Sequence, residues 1–302
     1  MSIKNKTGHL FAFIAIFIWS TTYVATKTLL IKYTPTDILI IRFVVAFIFL
    51  FVLYPRLRSP ESIKDELIFF ALGLTGVMLY FWLENMSLTY TYASNVGMIV
   101  STIPLLTALI SHFIFKDEVF EKKILFGFFF AMIGVFIVIF NGKMIMKLNP
   151  FGDFLALLAA CVWAIFSNLL KLVNDKYHPI LAIRKTFFYG IISMTPIVLL
   201  SESNLSMEVI RQPKEIVCFA YLAFFASSLC FVLWNSAIQN IGSVKTTHYI
   251  YFVPLITMIS SMLFLDEKIN ILMIIGGGLI LIGVYISGRK SIDLTEEEFS
   301  TG

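Results

Sequence analysis

TYASNVGMIVSTIPLLTALISHFIFKDE, residues 91–118, and SVKTTHYIYFVPLITMISSMLFLDE, residues 243–267, are two copies of one pattern. Pro104 answers to Pro254, Thr107 to Thr257, and the acidic pair Asp117-Glu118 to Asp266-Glu267. Ser94, Asn95 and Gly97 soften the start of the first copy. A proline inside an apolar helix removes a backbone donor and bends the chain. Each copy therefore predicts a membrane-length helix hinged at Pro104 or at Pro254. Two kinked copies of one spanning helix imply a protein organised around what lies between them. The first reading is a transport path.

Composition sets the solvent. Of the 302 residues, 59% are hydrophobic and 14% charged, with a mean hydropathy of +0.89. A soluble chain is about one quarter charged. Apolar runs of roughly 20 residues, enough to cross the hydrocarbon layer, recur at 8–30, 35–54, 66–88, 92–115, 122–140, 151–174, 179–200, 214–240, 243–265 and 271–288. The expected fold is an all-α membrane protein of ten transmembrane helices. The first run is too long for a signal-peptide core and has an internal copy, so it is expected to be retained. Cys161, Cys218 and Cys230 sit singly inside runs and show no ligand spacing.

Basic residues in short loops orient such a chain. With the N-terminus cytoplasmic, thirteen Lys and Arg fall on the inner side against seven outside. Both termini are expected in the cytoplasm of a cell that carries the protein in its plasma or inner membrane. The polar tail at 289–302, with Glu296-Glu297-Glu298, belongs to that side.

The halves repeat. Gly8, Trp19, Lys27, Tyr33 and Pro35 recur 144 residues later as Gly152, Trp163, Lys171, Tyr177 and Pro179. Asn85 matches Asn235, while Gly127 and Gly134 match Gly276 and Gly283. Five spans is an odd number, so the second half (152–288) enters the membrane opposite to the first (8–141). Two inverted-topology five-helix repeats around a central cavity result, an arrangement suited to alternating access.

At this point a resemblance becomes specific. WSTTYVATKTLLIKYTPTDILIIRF at 19–43, and IPLLTALISHFIFKDE followed by Gly127 and Gly134, resemble the two ends of a module of EamA-type proteins of the drug/metabolite transporter superfamily. Trp163, Lys171, Pro179, VPLITMISSMLFLDE and Gly276 to Gly283 repeat both ends. The resemblance implies ten helices, a central cavity, and export or exchange of small metabolites. It departs at Arg42, whose nearest counterparts, Arg184 and Lys185, fall out of register.

Depth along the helices, at about 1.5 Å per residue, nominates the cavity: Trp19, Tyr23, Arg42, Tyr80, Thr102, Trp163, Tyr189, Ser228 and Tyr251. Any single mid-depth aromatic is more often packing than ligand wall, but Trp19 and Trp163 are symmetry mates too deep for an interfacial belt. Gates are expected from Lys27, Glu84, Asn85 and Asn95 outside and from Asn235, Lys245 and His248 inside, with Glu84 pairing with Arg42 or Lys27. The competing reading has these long side chains reaching to the interfaces. The basic residues in the spans outnumber Glu84, which suggests a carboxylate-bearing or zwitterionic solute. The Asp-Glu pairs read as caps for the fifth and tenth spans, and the four glycines as a packing seam.

No HxxxH, HExxH, GxSxG or phosphate-loop pattern occurs, so neither catalysis nor a metal or cofactor is expected. The expected function is a secondary transporter of small organic metabolites such as amino acids. The expected partners are a small-molecule substrate and the lipid bilayer, with coupling to a proton or counter-substrate left open, and no nucleic acid. The alternatives are a membrane-embedded enzyme, a sensor, or a channel.

Overall fold

Proline and short polar side chains punctuate a chain that is otherwise apolar enough to wind into helix almost anywhere. The computed structural model describes residues 3–56, 62–112, 122–140, 150–174, 176–201, 212–241, 246 and 248–288. Helices are α1 (Ile3–Leu29), α2 (Pro35–Leu53), α3 (Ile63–Tyr90), α4 (Ala93–Ile110), α5 (Lys122–Phe140), α6 (Pro150–Asn174), α7 (Pro179–Leu200), α8 (Pro213–Ile241), α9 (Val253–Leu265) and α10 (Ile271–Gly288). Among the described residues there is no strand. Among the described residues, seven helices are long and apolar enough to cross a membrane, and shorter apolar helices occupy Phe126–Val138, Tyr249–Leu265 and Ile271–Gly283.

The starts follow simple chemistry. α2, α6, α7 and α8 each begin at a proline, where the missing N–H costs nothing and φ is already helical. At α2, Thr34 and Asp37 form a reciprocal capping box, with bonds of 3.1 and 3.2 Å.

Two kinds of interruption break the regular winding, and each has a counterpart in the other half. α4 breaks at Ser101 and Thr102, just ahead of Pro104, where tight bonds run from Ser101 N–H to Met98 O and from Thr102 N–H to Ile99 O. α9 is preceded by a 3₁₀ turn at His248–Phe252, just ahead of Pro254. The hinge at each proline is thus a change of winding on its N-terminal side, where its ring would strike the preceding turn. The second kind was not foreseen. α3 and α8 widen into π-helix at Leu74–Leu79 and Tyr221–Leu229, and the two stretches end at equivalent places, 150 residues apart.

The expected glycine seam exists, and it joins the repeats. α5 packs along α10. A Cβ on Gly134 would stand 2.5 Å from the Gly276 carbonyl oxygen, and one on Gly283 would stand 2.4 Å from that of Gly127. Such backbone contact is open only to glycine. The seven-residue spacing in each helix brings both glycines to one face, so the pairs meet in antiparallel register. Equivalent close approaches recur elsewhere. Gly8 of α1 abuts Asn240 and Ile241 of α8, and Gly152 of α6 abuts Tyr90 and Thr91.

The seam predicts a contrast on one helix. Gly283→Ala or Gly134→Ala must force the α5–α10 backbones apart and should lower stability by about 1–3 kcal/mol. At Gly278 a Cβ meets nothing within 4 Å, so Gly278→Ala should be neutral or stabilising by roughly 1 kcal/mol at most. Thermal unfolding of the purified variants reads the difference, and equal effects would dismiss the seam.

Candidate functional site

The centre of the helix assembly is an aromatic box. Trp19 of α1 and Trp163 of α6 meet edge to face, ring centres 6.2 Å apart and planes at 81°. Trp234 of α8 lies 5.3 Å from Trp19, and Tyr80 of α3 lies 4.5 Å from Trp163. The π-helix of α8 helps to hold the box. Its winding bonds Cys230 N–H back to Phe225 O, five residues away, and the Ala226 carbonyl accepts the Trp19 indole N–H at 2.9 Å. Widened turns of this kind recur at functional sites.

Two small chambers, about 50 and 60 Å³, lie against the box and share the walls Trp19, Trp163, Trp234, Ile103 and Ile250. Each has room for a few waters, so a metabolite enters only when helices part. The first chamber is completed by Tyr23, Tyr80 and Glu84. Glu84 is buried, and its Oε1 accepts the Tyr80 hydroxyl at 2.7 Å. The second runs towards Lys171, past Thr107, Ser167 and Asn235. Lys171 Nζ donates to Ser111 Oγ at 3.4 Å.

Of the residues nominated from depth, Trp19, Tyr23, Tyr80 and Trp163 wall the chambers. Several others do not. Thr102 and Ser228 are buried and bond their hydroxyls back to Ile99 O and Ala223 O of their own helices. Tyr189 donates to Glu66 in the first turn of α3, and Tyr251 lies outside both walls. Arg42 is fully buried behind Phe81, its guanidinium carbon 4.3 Å from that ring centre and its Nε bonded to Ser227 Oγ at 2.5 Å. Its two terminal nitrogens have no hydrogen-bond partner. Trp234, Phe231 and Thr22 belong to the walls and were not foreseen. Trp234 was available from the repeat, since it stands 150 residues after Glu84.

The pairing expected for Glu84 does not occur. None of the ion pairs among the described residues includes Glu84. Lys27 pairs instead with Glu267, at 3.1 Å, and also donates to Thr91 O at 2.6 Å. Glu267 was expected to cap α10. It caps α4, accepting the Ala93 and Ser94 amides at 2.8 and 3.1 Å and the Ser94 hydroxyl at 2.8 Å. Asp266, with φ of 52°, makes the left-handed turn that ends α9 and aims its neighbour across the assembly. Beside this latch, Asp153 of α6 accepts from Thr91 and Asn95. Asp153 is a buried acid that the sequence comparison of charges had passed over. Asn85 belongs to another contact, donating to Pro35 O at 3.4 Å.

The remaining basic residues are also engaged. Lys185 pairs with Glu66, Lys176 with Asp65, and Arg184 with the carbonyls of Tyr54 and Arg56. Among the described residues, the expected excess of basic charge without an acidic or carbonyl partner therefore reduces to Arg42 and Lys171. Asp117, Glu118 and Lys245 lie outside the described residues, as does the side chain of His248.

A polytopic assembly of apolar helices of membrane-spanning length around a small aromatic chamber is the architecture of an integral membrane protein. The comparisons agree. Residues 6–140 and 150–289 each match the EamA-like transporter family, and the chain belongs to that family. An uncharacterized transporter of Archaeoglobus fulgidus is 27% identical over 290 residues, 95% of this chain and 99% of its own. The uncharacterized transporter YyaM of Bacillus subtilis is 30% identical over 232 residues, 76% and 75% of the two chains. A WAT1-related protein of Arabidopsis thaliana is 30% identical over 116 residues, 37% and 32% of the two chains. One solved crystal structure superimposes with a TM-score of 0.66 at 16% identity, covering 94% of this chain and 97% of the other, and so shares the fold.

The latch predicts a pH signature. Burial pushes the Glu267 carboxyl up, but Lys27 and the α4 amides outweigh it and hold it below the ordinary glutamate value. A depressed carboxyl stabilises the fold above its unfolded value, and that contribution is lost as pH falls through the folded one. The stability advantage of the wild type over Glu267→Gln should therefore be full near neutrality and shrink below about pH 4. Thermal unfolding of both proteins across that range measures it. Parallel curves would mean that the carboxylate charge does not hold the latch.

Proposed function

We propose that this chain is a secondary transporter, exporting or exchanging small organic solutes such as amino acids or amines. It works by alternating access between inverted five-helix halves at 8–141 and 152–288. The observation that carries this is the chamber itself. Its two facing tryptophans, Trp19 and Trp163, come from equivalent positions of the two halves and meet at 6.2 Å.

Other pairs support the inversion. The proline breaks and the ends of the π stretches at Leu74–Leu79 and Tyr221–Leu229 recur 150 residues apart, and the close approaches at Gly8 and Gly152 recur 144 apart. The Lys27–Glu267 latch joins α1 to the segment after α9, so it links the two halves at one end. The second chamber extends towards Lys171, at the other end of α6 from Asp153. This state reads as closed at the latched end. The excess of Lys and Arg in the loops on one side supports a cell-membrane protein with the latch facing outward and both termini in the cytoplasm.

Exchange of labelled amino acids and amines across liposomes containing the purified protein tests the reading. A transported solute should show saturation and counterflow, which a channel does not. Trp163→Ala should lower the exchange rate by about ten-fold or more, while Phe126→Ala, on the exposed face of α5, should leave it unchanged. Absence of exchange for every solute would reject the proposal.

A further inference from the structure

We infer that the first chamber recognises the protonated amino group of an organic solute, with Glu84 as its counter-charge and the tryptophans as walls for its apolar body. The inference rests on the reading of that chamber as the transport site, and it departs from the carboxylate preference suggested by the sequence.

Three observations converge. First, Glu84 is the one charged residue in the wall of that chamber. It is 3% exposed, it accepts a neutral hydroxyl from Tyr80, and it joins none of the ion pairs among the described residues. A carboxylate held this way in a low-dielectric site has strong need of a cation.

Second, among the described residues no Lys or Arg forms an ion pair with Glu84. Lys27 answers to Glu267, and Lys185 to Glu66. Arg184 is spent on backbone carbonyls. Arg42 approaches from α2 but lies beyond the Phe81 ring, turned to Ser227. Its charge offsets that of Glu84 from a distance without filling the chamber, and so leaves the contact position open to a ligand.

Third, the rest of the wall has the right electronic character. Trp19, Trp163, Trp234, Tyr23 and Tyr80 surround the space, and aromatic faces attract a desolvated ammonium. The same faces and the Glu84 carboxylate repel an anion. The three tryptophans also wall the second chamber. An ammonium at Glu84 thus leaves its apolar substituent directed along them towards Phe166 and Phe231.

Thermal unfolding of the full chain in detergent, with three matched probes, tests this. Phenethylamine should raise the unfolding midpoint by a few degrees, whereas 3-phenylpropanoate and phenethyl alcohol should not. Glu84→Gln, nearly isosteric, should weaken the response to phenethylamine about ten-fold or more. Glu84→Asp, which keeps the charge but withdraws it by one methylene, should weaken it less. If Glu84→Gln does not fold, the comparison of amine with acid and alcohol on the wild type decides alone. A shift with the acid that equals or exceeds that with the amine, an undiminished response in Glu84→Gln, or no shift with any probe would overturn the inference. Counterflow of an acid without response to amines would remove the amine preference and leave transport standing. Loss of exchange for all solutes would remove transport itself.

Discussion

Hydrocarbon offers no hydrogen bonds, and this protein is shaped by how it satisfies polar groups that water cannot reach. The latch at Glu267 is the clearest case. One carboxylate takes the lysine of α1, two amides and a hydroxyl at the start of α4. Those amides would otherwise be left without partners where α4 begins. Glu267 therefore closes a helix end and an interhelical gap with the same atoms. Removing Lys27 would leave a buried negative charge on a helix end, and removing Glu267 would leave both a cation and a helix end exposed. Neither partner is dispensable, yet Lys27 is partly exposed, so water entering on its side can replace its bond. A joint of this kind is firm when dry and separable when wet.

The interior is held differently. Along α5 and α10 the backbones touch at glycines, with no polar bond to exchange. Such a surface cannot slide without collision and behaves as one piece. Around Trp19, by contrast, rings meet at steep angles and leave small chambers between them. Rigid seam and loosely filled centre divide the labour that transport requires.

Much of this was legible in the sequence because the repeat carries rare residue types in fixed register. Trp19 with Trp163, Pro104 with Pro254, and the four glycines led directly to the box, the breaks and the seam. What failed was assignment of partners. Glu267 is adjacent to α10 in the chain, and the dipole argument placed it there, but the left-handed turn at Asp266 delivers it to α4. Glu84 was matched with Arg42 on depth alone, and depth cannot reveal that Phe81 stands between the guanidinium and the chamber. Asp153 was missed because it falls in a first turn, where an acid looks unremarkable. The π stretches have no signature in residue type, so periodicity read as uniform α-helix passed over both.

Those stretches have a further meaning for the family's lengths. A π turn accommodates one residue more than an α turn does. Deleting a residue within Leu74–Leu79 or Tyr221–Leu229 could restore regular winding without shortening the hydrogen-bonded rod by a visible break. Residues beyond the deletion would keep the face they now present, because the extra residue is held within one widened revolution. In α8 the Cys230 N–H would return from Phe225 O to Ala226 O, the carbonyl that now accepts the Trp19 indole N–H. Relatives that lack the extra residue would keep the architecture and lose that tie on the box.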